Sequence, residues 1–163
     1  MSHYAKIKKF NVSNGVGIRT AIFFSGCDFA CPNCFNKELW DCNYGYIYDE
    51  NTKTEIWQSM TTHIAGLSIL GGEPLSSYNI DTVTALCKQF KNDFTDKTIW
   101  LWTGNLFEDV CDLEVMNYID VVIDGRFKEY LKQPNLQFRG SSNQRIIDVK
   151  ATKQTGNIVT LNF

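Results

Sequence analysis

Two hydrophobic periods alternate along this chain, one of about two residues and one of about four. Residues 19–25 read RTAIFFS, β-branched and aromatic with Gly26 as a stop, which predicts a strand. Beyond a cysteine-bearing loop, residues 36–40 read as a short helix. In TKTEIWQSMTTHIAG (52–66) the apolar Ile56, Met60 and Ile64 recur every four residues, predicting a helix that ends at Gly66. LSIL (67–70) is a short buried strand running straight into GGEP. Residues 78–94 give the clearest helix, with Ile80, Val83, Leu86, Cys87 and Phe90 on one face. TIWLW (98–102) is a third strand ended by Thr103 and Gly104. Residues 106–118 read as helix, and IDVVID (119–124) as a fourth strand closed by Gly125. A long polar stretch leads to RIIDV (145–149), and the tail 150–163 carries no clear pattern.

Strands separated by helical stretches imply parallel βαβ units, hence an α/β fold with a mostly parallel sheet. Four or five units are too few to close an eight-stranded barrel, so an open, curved part-barrel is expected. No repeat or linker interrupts the chain, so residues 1–163 read as one domain. Functional loops should gather at the C-terminal strand ends. The cysteine loop follows the first strand, GGEP the second, TGN the third and DGRF the fourth. One cleft would collect all four.

Composition narrows the function by exclusion. The formal charge is −2 and there is no basic stripe, so no nucleic-acid platform is expected. No run of about 18 apolar residues exists, so no membrane span is expected. The N-terminus, MSHYAKIKKF, is too polar for a signal peptide, which places the protein in the cytoplasm. Clustered cysteines in that reducing compartment read as metal-binding or catalytic before they read as disulfides.

Three of the six cysteines, Cys27, Cys31 and Cys34, form C-x3-C-x2-C within SGCDFACPNCFNKELW (25–40). Cys31 and Cys34 alone make a redox C-x-x-C, which leaves Cys27 unexplained. A structural zinc site wants four ligands, and Cys42 could supply the fourth. Three thiolates also suffice for three corners of a [4Fe–4S] cluster, leaving its fourth iron open. Cys87 sits on the apolar helix face as a core residue, and Cys42 and Cys111 read as filler. Gly71, Gly72 and Glu73 of GGEP allow close main-chain approach by a ligand, or simply make a turn. Composition alone makes FRGSSNQRIIDV (138–149) a solvated loop, and NVSNGVGIR a turn before the first strand. His3 and His63 receive no role.

C-x3-C-x2-C after a first strand, with GGEP one unit later, resembles the radical S-adenosylmethionine (SAM) family. The resemblance implies a truncated barrel in which Cys27, Cys31 and Cys34 hold a [4Fe–4S] cluster. In that family SAM chelates the open iron and is cleaved by one electron to methionine and a 5′-deoxyadenosyl radical. By the same likeness Asn33, Cys34 and Phe35 lie along SAM, while Gly71, Gly72 and Glu73 meet its amino group. The order NGVGIR, SGCDFACPNCFNKELW, GGEPL, WLWTGN, VVIDGRF, FRGSSNQR is similar, over about residues 11–149, to the activating components of anaerobic (class III) ribonucleotide reductase. FRGSSNQR separates these from pyruvate formate-lyase activating enzymes. The likeness implies a glycyl radical made on the reductase large subunit, with a low-potential donor such as flavodoxin. Val16, Asn33 and Phe35 depart from the usual family residues, and none of them is a cluster ligand. A primary carbon radical attacks almost any nearby C–H bond, so the site must be closed when it forms. A chain this short has little left for a lid, which independently favours a docking protein substrate.

Overall fold

In the computed structural model, which describes residues 1–163, a single seven-stranded sheet organises the chain. Its strands are β1 (His3–Asn11), β2 (Ile18–Phe24), β3 (Tyr46–Ile47), β4 (Ile64–Gly71), β5 (Thr98–Trp102), β6 (Val121–Asp124) and β7 (Arg145–Asp148). They lie in the order β3-β1-β2-β4-β5-β6-β7. The helices are α1 (Glu50–Ser59), α2 (Ile80–Asp93), α3 (Phe107–Val110) and α4 (Val149–Thr155), with 3-10 turns at Lys37–Trp40, Glu114–Asn117 and Glu129–Leu131. No helix is long and apolar enough to cross a membrane.

Side chains alternate across each strand, and here both faces are apolar. Ile22 and Phe24 of β2 join Leu67, Ile69, Ile99, Leu101 and Val122 in the main core. α2 closes that face with Val83, Leu86, Cys87 and Phe90, four of the five residues its period placed together, while the fifth, Ile80, is half-buried and packs against them. The opposite face carries two smaller clusters, one around Phe23 and Leu70, the other around Trp100 and Ile123, with Trp102 packed against both. Helices cover one side of the sheet, and loops frame the other.

The structure corrects the pattern in four places. The sheet is parallel only at its centre, through β2–β4, β4–β5 and β5–β6. Its margins β1–β2, β1–β3 and β6–β7 are antiparallel. β1 has no clean alternation, because two bulges interrupt its pairing with β2. α1 stops at Ser59, and Ile64 opens β4 opposite Ile18 instead of closing the helix. Lys97, buried, holds the intervening turn by donating Nζ to the carbonyls of Thr61 and Ile64. The helix expected over 106–118 breaks into α3 and the 3-10 turn at Glu114–Asn117. Asp124 fixes the start of α3 by accepting the Phe107 N–H at 2.9 Å.

Candidate metal and cofactor site

β2 delivers the cysteine loop to the end of the sheet. Ser25 N–H donates to the His3 carbonyl at 2.9 Å, and Gly26, at φ +96°, turns the chain out of the strand. Gly26 and Cys27 N–H then donate to the carbonyls of Leu39 and Trp40, which pins both ends of the loop together. Between these pins Ala30 and Asn33 hold positive φ values of 47° and 53°, winding the loop so that Cys31 and Cys34 both face one cavity.

Cys27, Cys31 and Cys34 are free and half-buried. Asn36 N–H donates to Cys34 Sγ at 3.5 Å. Burial pushes the Cys27 thiol up to about 11, against the pull of the Phe29 N–H. Burial also raises Cys31, and Cys34 adds to it, while the Arg126 guanidinium and the Phe127 N–H oppose. A redox C-x-x-C needs a depressed thiol, and burial moves Cys31 the other way. A bound cation reverses that logic, because a coordinating thiol deprotonates outright.

No three Cys, His, Asp or Glu side chains converge closely enough to share a single ion. Zinc with Cys42 as fourth ligand therefore finds no cage here: Cys42 lies behind the loop, against Gly26. A cubane distributes its ligands over separate irons. Three spaced thiols with main-chain N–H groups near their sulfurs suit that larger group.

GGEP locks onto the same loop. Gly72 N–H donates to Phe24 O at 2.7 Å and Glu73 N–H to Gly26 O at 2.9 Å. Gly71 sits at φ +123°, and a Cβ there would stand 2.3 Å from Phe24 O. A Cβ on Gly72 would stand 2.8 Å from the carbonyls of both Gly26 and Leu39. Gly71 is thus demanded by close packing on the end of β2, and Gly72 by close packing on the cysteine loop. Glu73 is 3% exposed and points beneath the cavity. Its carboxylate accepts from Leu75 N–H, the Thr103 hydroxyl and Gly104 N–H, at 2.8 to 2.9 Å. Burial raises its pKa in spite of these donors. Glu73 clamps the loop after β4 to the loop after β5.

A cavity of about 690 Å³ opens on the loop-framed face, well within the range of small-molecule sites. All four strand-end loops border it, as the βα pattern predicts. Cys31, Cys34, Phe35, Gly71 and Gly72 line it; Cys27, Asn33 and Glu73 do not. Asn33 turns outward and donates Nδ2 to Glu129. The pattern missed Lys6 and Lys8, which reach into the cavity from β1 over the Phe23 ring, 4.8 and 5.6 Å from its centroid. Their signal was the two-residue spacing of a strand face. Phe29 and Trp102 were also missed, since aromatic residues in strands and loops read first as packing.

The arginines divide by role. Arg145 is engaged, making a bidentate pair with Glu108 and bonding buried Asp124. Arg126 is exposed at the cavity rim and stands 4.5 Å over the Phe29 ring. Arg139 lines the wall, donating Nη1 to Gln144 O, with its buried Nε unpartnered.

A family model described as a 4Fe-4S single cluster domain matches residues 13–147. Proteins named anaerobic ribonucleoside-triphosphate reductase-activating protein are similar over most of the chain. That of Enterobacteria phage T4 is 37% identical over 145 residues, covering 88% of this chain and 92% of its own. That of Pasteurella multocida is 36% identical over 151 residues, covering 88% and 96%. That of Escherichia coli K12 is 34% identical over 147 residues, covering 87% and 96%.

Proposed function

This chain belongs to the family of anaerobic ribonucleoside-triphosphate reductase-activating proteins, and from that premise we propose that it generates a glycyl radical on its reductase, using a [4Fe–4S] cluster and SAM. Cys27, Cys31 and Cys34 hold the cluster. When bound, the cluster supplies the single electron that cleaves SAM. Gly71 and Gly72 present main-chain polar groups to the SAM amino group, and Cys34 and Phe35 lie along it with the Asn33 backbone. Glu73 contributes through the loop it fixes, since its oxygens already accept three donors. Phe23, Leu70 and Trp102 give the cavity an apolar wall that excludes water.

The central parallel strands, with their end loops around one cavity, support reading the sheet as the truncated barrel of the radical SAM type, with residues 1–163 as one unit. The protein substrate is the reductase large subunit, and a flavodoxin-like donor supplies electrons. The observation that carries this reading is the placement of Cys31, Cys34 and the glycine pair on one cavity, with Cys27 at the root of the same loop. Anaerobic incubation with SAM, reductant and the reductase, followed by electron paramagnetic resonance, tests it. A glycine-centred doublet on the reductase is expected. Intact cluster without SAM cleavage or doublet overturns it.

A further inference from the structure

DGRF and FRGSSNQR are the motifs whose side chains the radical chemistry leaves without a task, and the structure ties both to the cysteine loop. Residues 126–132 lie across that loop and touch it four times. Arg126 stands over Phe29. The Phe127 and Phe35 rings are 4.9 Å apart. Lys132 Nζ lies over the Phe35 ring, 4.8 Å from its centroid, and Glu129 accepts from Asn33. Phe35 is 60% exposed, so without these partners its ring would stand almost free.

The same residues are held from behind by FRGSSNQR. Gln144 Nε2 donates to Gly125 O and Asn143 Nδ2 to Arg126 O, both at 2.9 Å. Lys128 N–H donates to Ser141 Oγ, and Ser142 N–H to Leu131 O. Gln144 Oε1 in turn accepts from the N–H groups of Gly140 and Ser141, so the anchor is itself closed. Gly140 is small where Phe127 and Phe35 meet: a Cβ there would lie 3.0 Å from Phe127 and 3.3 Å from Phe35.

We propose that residues 126–132 form a strap that positions the cysteine loop, with Phe127 and Arg126 as positioning residues and Asn143 and Gln144 as its anchor. The inference deepens the cluster reading, but its core is a contact within this chain and can be tested without metal. Hydrogen exchange on the metal-free, reduced protein reads peptides covering 27–36, with α2 peptides as an internal control. In Phe127→Ala, exchange over 27–36 should rise about fivefold to tenfold, as expected for loss of one aromatic pair, while α2 stays unchanged. The surface pair Arg126→Ala with Glu129→Ala, which removes both the contact on Phe29 and the acceptor for Asn33, should raise it in the same direction without touching the core. Unchanged exchange over 27–36 in the surface pair overturns the strap, even where Phe127→Ala disturbs α2 as well. In reconstituted protein the same variants should release iron to a chelator severalfold faster. A loosened loop in a protein that binds no iron refutes the cluster and leaves the strap standing. Iron bound over an undisturbed loop does the reverse.

Discussion

At the scale of single residues, the site is governed by atoms that leave no room. Gly71 combines a backbone conformation that side chains resist with a Cβ position 2.3 Å from a carbonyl. Gly71→Ala should therefore lower stability by about 1–3 kcal/mol, read by urea unfolding of the metal-free protein, from backbone strain alone. Gly72→Ala should act in the same direction by pushing the loop from Gly26 and Leu39, and should also lower iron content. Cys42 makes the contrasting case. It packs beside Gly26, where an added Cβ would stand 3.2 Å from its own, and it does not line the cavity that Cys31 and Cys34 face. Cys42→Ser should keep full iron and sulfide after anaerobic reconstitution, whereas Cys34→Ser should lose the cluster's visible absorbance.

At the scale of elements, the ends of β6 and β7 and the start of α3 are bound by one charged knot. Asp124 is fully buried and accepts from the Phe107 N–H as well as from Arg145. Arg145→Ala strands that carboxylate and should cost about 3–5 kcal/mol in chemical denaturation. Arg145→Ala combined with Asp124→Asn should cost less, because the buried charge goes too. Glu108 belongs to the same knot, and the Arg145 hydrogen bonds hold its carboxyl below the usual range. A carboxyl depressed in the fold stabilises above its unfolded pKa, and that contribution is lost as pH falls through the folded one. Acid titration of stability should accordingly be shallower in Glu108→Gln. Solvent exposure keeps the effect small.

At the scale of the whole molecule, the loop-framed face of the sheet is completed by the C-terminal tail. Leu161 N–H donates to Ile146 O at 2.7 Å, and Asp148 N–H to Val159 O. Phe163 packs on Phe138 and Trp100, with centroids 5.2 and 6.1 Å away. The tail thus supports the wall from which Phe138 and Arg139 face the cavity. Deleting residues 158–163 should destabilise the protein by about 1–3 kcal/mol in urea, through three lost hydrogen bonds, the third from Val159 N–H to Thr152 Oγ1, and the exposed Trp100 face. SAM affinity should weaken with it, which calorimetry on reconstituted protein would show.

The central strands and α2 were legible in the chain because their periods of two and four express burial, and burial is what folding rewards locally. The cysteine triad and GGEP were legible because thiol count and glycine pairs have few competing uses. What local pattern could not carry was everything decided by distant neighbours. β1 owes its place to pairing with β2, and Ile64 is a strand residue because Ile18 lies beside it. Glu73 became a clamp only when the fold brought Thr103 and Gly104 within reach, and FRGSSNQR became an anchor only against Gly125 and Arg126. A polar side chain takes its role from the donor or acceptor it meets, and that partner lies tens of residues away in the chain.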